Sequence, residues 1–338
     1  MKPNKWYGLF SLFLLASATL NYAQVPNEGL LSQRPVHTYS IVARDPETGE
    51  LGVAVQSHWF SVGPVVPWAE AGVGAVATQS LVEISYGPLG LELMRAGKTA
   101  EEALKTLLAA DKNTAVRQVA MIDAKGNVAV HTGEKCIPEA GHIKGSNYSV
   151  QANLMLNNKV WPAMSRAFEK TQGDLAERML AALEAAEAAG GDIRGRQSAA
   201  ILIVRGQSTG KPWQDRLMDL RVEDHPEPLT ELRRLVNLHR AYEHMNRGDQ
   251  ALERNDFQEA LKEYGAAEAM VPDNLEMKFW HAVGLVNKDR VDEALPLFKE
   301  IFARDYNWAI LLPRLAKVDL LPKDEAVIKR ILAVAPEK

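Results

Sequence analysis

Two hydroxyls, Thr38 and Ser40, open the stretch TYSIVARDPETGELGVAVQS. The stretch reads as a strand, a Pro- and Gly-containing turn and a second strand. A hydroxyl attacks a carbonyl effectively only when a base removes its proton. Were Thr38 the first residue of the chain, its own α-amine, which titrates at about pH 8, would be that base. Thr38 is therefore the first candidate nucleophile, with an ordinary hairpin as the plain alternative. Ser40 shares its strand face two residues on and is the second candidate. Asn153, an amide in VQANLM where a Val would be expected, either donates to an oxyanion or is a satisfied core amide. Gln79 and Ser80 follow an apolar strand and are expected to point into a cleft; His131, at the end of another strand, is expected to line it. Asp192, Arg194 and Arg196 form a charged loop before a buried strand. A guanidinium grips a carboxylate with two parallel hydrogen bonds, which suits an acidic or peptide-like substrate; a salt-bridged structural loop is the competing reading. Arg221, Asp224 and His225 read as a closing strand that locks the domain. Cys136 is isolated in GEKCIPEAG, and an isolated cysteine is more often structural than nucleophilic.

Other chemistries lack their residues. HExxH, GxSxG and phosphate-loop patterns are absent. The eight histidines show no metal-ligand spacing. A single cysteine permits neither an internal disulfide nor a CxxC site. The expectation is chemistry with no metal and no organic cofactor. A net charge of −4 gives no basic footprint, so nucleic acid is not an expected partner.

The elements that must position Thr38 begin after a targeting segment. Lys2 and Lys5 precede the apolar run Gly8–Leu20, and small residues follow. This predicts a signal peptide over 1–23, cut after Ala23 or Ala18, and a leader over 24–36. A short membrane anchor is the alternative. The mature protein is then expected to be periplasmic or secreted, with no membrane span once the signal is removed. A domain over 37–225 follows: strands at Tyr39–Ala43 and Leu51–Gln56, further strands within Val62–Thr78, and a helix over 87–97. Thr99 and Glu102 make a capping box for the next helix. Strands RQVAMID, NVAVHTG and SVQANLM lead into one long Ala-rich helix over 163–189, and SAAILIV and MDLRVEDH close the domain. Hairpin-joined strands with helices in blocks predict an α+β sandwich rather than an alternating α/β sheet.

HPEP marks the joint to a helical region over 226–338. Gly248, Ala260, Tyr264, Ala267 and Pro272 fall at the spacing of a tetratricopeptide repeat. A shift of about 34 residues maps Ala260 onto Ala294 and Tyr264 onto Phe298. Ala282 and Tyr306 stand where the Gly and Pro of the first copy would recur. A plain helical hairpin is the alternative. Such modules bind peptides or protein partners, or pack on their own enzyme.

The blocks TYSIVARDPETGELGVAVQS, VVPWAEAGVGAVATQS, YGPLGLELMRAG, RQVAMIDAKGNVAVHTG, GDIRGRQSAAILIV and DLRVEDHP, in this order, resemble the bacterial Ntn-hydrolase-like family catalogued as domain of unknown function 1028. The resemblance covers nearly all of residues 37–228. It implies a four-layer αββα sandwich followed here by an all-α tetratricopeptide-like region, and it suggests hydrolysis of an amide bond in a peptide or small amide. It supplies no substrate. In members without a signal peptide the matching threonine follows the initiator Met. Here a second cut, between His37 and Thr38, is required, and self-cleavage through the threonine hydroxyl is one route in the superfamily. Analogy with similar folds suggests a homo-oligomer. The competing expectation is a catalytically silent sandwich whose helical repeats dock a periplasmic protein.

Overall fold

This computed structural model describes residue 36 and residues 38–337. The expected signal peptide and the leader, except Val36, lie outside the described residues. β1 (Thr38–Arg44) and β2 (Leu51–Ser57) form the expected hairpin, in register from Thr38↔Ser57 to Arg44↔Leu51. Asp45 fixes its turn by accepting hydrogen bonds from the amides of Glu47 and Thr48. β3 (Pro67–Glu70) and β4 (Gly74–Ser80) make a second hairpin. β3 is shorter than the apolar run suggests. The amides of Val65 and Val66 both donate to the Val62 carbonyl, so that part of the run is a turn, with Val62 and Val66 buried.

α1 (Tyr86–Arg95) and α2 (Ala100–Ala110) follow, and α2 carries the expected reciprocal capping box of Thr99 and Glu102. β5 (Arg117–Asp123) pairs with β6 (Val128–Thr132), and β7 (Gly141–Gly145) with β8 (Tyr148–Ala152). The sequence reading missed β7, GHIKG, because it is short, edge-placed and flanked by glycine. The single helix expected over 163–189 is two, α3 (Val160–Lys170) and α4 (Leu175–Ala188). Gly173, at φ +120°, breaks the run, and the Asp174 carboxylate caps α4 by accepting from Glu177 N at 2.8 Å. β9 (Ser198–Val204), the single turn α5 (Pro212–Asp215) and β10 (Arg216–Val222) complete this part. The helical C-terminal region is α6 (Pro228–Glu253), α7 (Phe257–Met270), α8 (Leu275–Val286), α9 (Val291–Arg304), α10 (Asn307–Leu315) and α11 (Glu325–Leu332).

The strands form two antiparallel sheets, ordered β10-β9-β2-β1-β8-β7 and β3-β4-β5-β6. Strand alternation divides their side chains. Val42, Val53, Val55 and Leu202 of the first sheet meet Ala75, Ala77, Ala120 and Ile122 of the second in one apolar cluster. On its other face the first sheet packs Tyr39, Ile41, Val150 and Ile201 against α3, α4 and the start of α6. The second sheet packs Val76, Val119 and Met121 against α1 and α2. The layers therefore run helix, sheet, sheet, helix.

α6 belongs to two cores. Leu232 and Val236 join the cluster beneath the first sheet, while Ala241, Met245 and Ala251 pack with α7. Arg233, bonded to Glu177 and Glu184, and Arg240, bonded to Asp174, fasten α6 to α4. α6 and α7 approach closely at Gly248, where a Cβ would lie 2.3 Å from the Tyr264 ring. Gly248→Ala should therefore destabilise the protein by about 1–3 kcal/mol through overpacking. Gly265→Ala, on open helix surface with nothing within 4 Å, should be neutral or stabilising. Denaturant midpoints of the two variants check the contrast.

Candidate active site

Alternation along the strands turns polar residues inward at one end of the space between the sheets. Thr38 and Ser40 of β1, Ser57 of β2, Gln79 of β4, Gln118 of β5, and Ser149 and Gln151 of β8 are wholly buried there. A hydroxyl or amide taken from water without a partner costs about 2–7 kcal/mol, so these groups must satisfy one another. The Ser149 hydroxyl donates to Gln151 Oε1 (3.0 Å), and Gln151 Nε2 donates to Ser40 Oγ (2.6 Å). Ser40 Oγ donates to Gln79 Oε1 (2.6 Å), and Gln79 Nε2 donates to Gln118 Oε1 (2.7 Å). Gln118 Nε2 then donates to Thr132 Oγ1 (2.9 Å) and to the Ala152 carbonyl (2.9 Å). Thr132 meets His142 Nδ1 at 2.8 Å, where the network reaches the surface. Burial, followed by the nearby His131, lowers the His142 pKa from its ordinary value, which favours the neutral ring.

Thr38 begins β1 at the rim of this layer. Its carbonyl accepts from Asn153 N (3.1 Å) and Gln79 Nε2 (3.2 Å). Its hydroxyl lies 3.0 Å from the Val36 carbonyl and 3.1 Å from Ser57 Oγ. Just ahead of it, Val36 is held to Ser80 by two main-chain bonds, Val36 N to Ser80 O (2.7 Å) and Ser80 N to Val36 O (2.9 Å). Ser80 adopts φ +73°, a left-handed conformation that costs a non-glycine residue roughly 1–3 kcal/mol. That turn at the end of β4 aims its backbone at the incoming chain.

The expected site residues divide. Thr38, Asn153, Gln79 and Ser80 come together. Asn153 lies one residue beyond β8, and its Nδ2 donates to Gln118 Oε1 at 2.8 Å. Ser40 is in the same layer, and its hydroxyl, held by Gln79 and Gln151, is a link in the network. His131 does not join. It pairs with Val119 on the helix side of the second sheet and meets the Thr114 carbonyl at 2.8 Å. Its neighbour Thr132 takes the inward place, because successive strand residues face opposite ways. Asp192 and Arg194 sit on a rim loop and engage each other, with Arg194 Nη2 2.7 Å from Asp192 Oδ2. The same carboxylate oxygen accepts from His58 N, so the pair acts as a structural clamp between that loop and the end of β2. Arg196 pairs with Glu187 and Glu227. Arg221 pairs with Asp219, Asp224 accepts from Gln197, and His225 Nδ1 accepts from Glu227 N. Of these three side chains, the Asp224 carboxylate reaches beyond the closing segment to Gln197, while the Arg221 and His225 contacts are local. The Cys136 thiol, pushed up by burial, donates to the Arg117 carbonyl and is poorly suited to attack. A cavity of about 550 Å³ lined by Thr132, Cys136, Pro138, Asn158 and Trp161 borders the network. Among the described residues no group of three His, Cys, Asp or Glu side chains is placed to hold a metal ion.

The profile of the family of unknown function DUF1028 matches residues 38–232, from the rim threonine to the first turns of α6. The chain belongs to the DUF1028 family. A crystal structure of a Silicibacter pomeroyi protein assigned to DUF1028, SPO2555, is 32% identical, with a TM-score of 0.53. The similarity covers 59% of this chain and 84% of that one. No curated protein matches the chain. Most of the helical region lies beyond the family match.

Within the DUF1028 domain, sequence reasoning missed Ser57, Gln118, Ser149 and Gln151. The signal was present as polar residues at alternate positions in otherwise apolar strands, each facing inward once the register is known. Among the described residues one buried amide stands outside the network: Gln56, on the helix side of β2, has no protein partner for its nitrogen or its oxygen. Opposite mutational outcomes follow. Gln118→Leu strands the groups it bridges and should cost about 3 kcal/mol or more, while Gln56→Met should stabilise by about 1–3 kcal/mol. Urea unfolding of both variants checks the sign; a Gln118→Leu protein as stable as its parent would contradict the role given to this network.

Proposed function

We propose that this chain is an exported Ntn-type hydrolase acting on an amide bond of a peptide or small amide. The carrying observation is the placement of Thr38. It is the first residue of a central strand, its hydroxyl packed against Ser57 and its carbonyl held by Gln79 and Asn153. The helix, sheet, sheet, helix order supports reading this part as an Ntn-type αββα sandwich. Cleavage between residues 37 and 38 frees the Thr38 α-amine. The amine takes the proton of Thr38 Oγ1 as that oxygen adds to the substrate carbonyl. Asn153 and main-chain donors hold the developing oxyanion. The C–N bond then breaks as the amine returns the proton to the leaving nitrogen, and water hydrolyses the remaining ester.

A second reading has the leader retained. The Thr38 nitrogen is then an amide and cannot act as a base. In this reading the sandwich is silent and the helices dock a periplasmic protein. We read α6–α7 and α8–α9 as tetratricopeptide-like pairs: Gly248, Ala260, Tyr264 and Ala267 are buried in the first, and Ala282, Ala294 and Phe298 in the second.

The two readings separate on the chain cut before Thr38. Under the hydrolase reading it releases amine from peptide amides, Thr38→Ser keeps part of the rate and Thr38→Ala loses at least about a thousandfold. The rate should fall as pH drops below about 8, because the α-amine base becomes protonated. Full activity in Thr38→Ala would exclude the mechanism.

A further inference from the structure

Val36 occupies the rim of the site in a definite way. Its amide and carbonyl both pair with Ser80, as an added strand pairs with a sheet edge. Its side chain is wholly buried in the cluster between the sheets, against whose edge Trp59 and Val82 pack. The Ser80 bonds involve only backbone and fit any extended peptide, whereas the buried side-chain position does not accept a charge without a large desolvation cost.

The chemistry of the cut gives this arrangement a meaning. When Thr38 Oγ1 adds to the carbonyl of residue 37 and the bond to the Thr38 nitrogen breaks, an ester forms whose acyl group ends in Val36 and residue 37. Water hydrolyses it to a carboxylic acid and restores the hydroxyl. An acyl-enzyme made from an external amide is the same ester on the same oxygen. Val36, whose carbonyl lies 3.0 Å from Thr38 Oγ1, marks where the residue before such an acyl terminus can sit.

We infer that Val36 marks a substrate subsite: the enzyme takes extended peptides carrying an aliphatic residue two places before the scissile amide, bound by Ser80 through the main chain. This inference rests on the hydrolase reading above. It makes Val36 the site's first occupant, so the subsite opens only when Val36 leaves.

The test uses two probes, the amides of Pro-Val-His and Pro-Asp-His, with the chain cut before Thr38 and the uncut chain. Binding is followed by calorimetry and thermal shift, turnover by ammonia release. The cut chain should bind the Val peptide about tenfold more tightly than the Asp peptide, the difference expected for burying one valine side chain. The uncut chain should bind neither. Equal affinity for both peptides, no binding by the cut chain, or equal binding by the uncut chain overturns the inference. So does a cut chain that no longer melts cooperatively, because Val36 would then be a permanent part of the core. Binding of the Val peptide without ammonia release keeps the subsite and sinks the hydrolase reading, so the two failures are told apart.

Discussion

A buried amide carries two N–H groups and two acceptor lone pairs, and away from water each unpaired group costs stability. Gln118 meets that demand by bridging the two sheets. From β5 it accepts from Gln79 and Asn153 and donates to Thr132 and to the carbonyl of Ala152 in β8. The apolar cluster further along the same space, with Val42, Val53, Ala77 and Ile122, presses the sheets together without fixing their relative position. The amides fix it, since their geometry tolerates little displacement. The polar end is thus where the sandwich is registered, and Thr38 lies at its rim.

That placement links stability to chemistry. A residue whose carbonyl is held by Asn153 N and Gln79 has little freedom in its backbone, and its hydroxyl is aimed by what remains. Under the proposed mechanism, this restriction is what preorganises Thr38 for attack. The left-handed turn at Ser80 and its paired bonds to Val36 extend the same restriction to the chain ahead of Thr38. Local strain here is set against two main-chain hydrogen bonds and a wholly buried valine.

Much of this was legible in the sequence, for physical reasons. The β1–β2 hairpin followed from β-branched runs about a Pro- and Gly-containing turn, and α2 from its capping box. Thr38 followed from being a hydroxyl at the start of such a strand. The network did not follow, because a glutamine in a strand does not reveal which face it takes until its register is known. Gln118 is inward because it pairs with Gln79 and Thr132, partners distant in sequence. His131 shows the same limit from the other side: one step along β6 separates it from the inward Thr132. The break between α3 and α4 falls at Gly173, a single glycine within a long helical pattern, whose positive φ appears only in the fold.

The central claim is that Thr38 becomes a chain terminus. Intact mass and N-terminal sequencing of the mature protein recovered from its native cells tests it most directly. The account predicts a chain beginning at Thr38, with the α-amine free. A stable chain beginning near Gln24 and retaining Val36 would contradict it, because the base the mechanism requires would remain locked in a peptide bond.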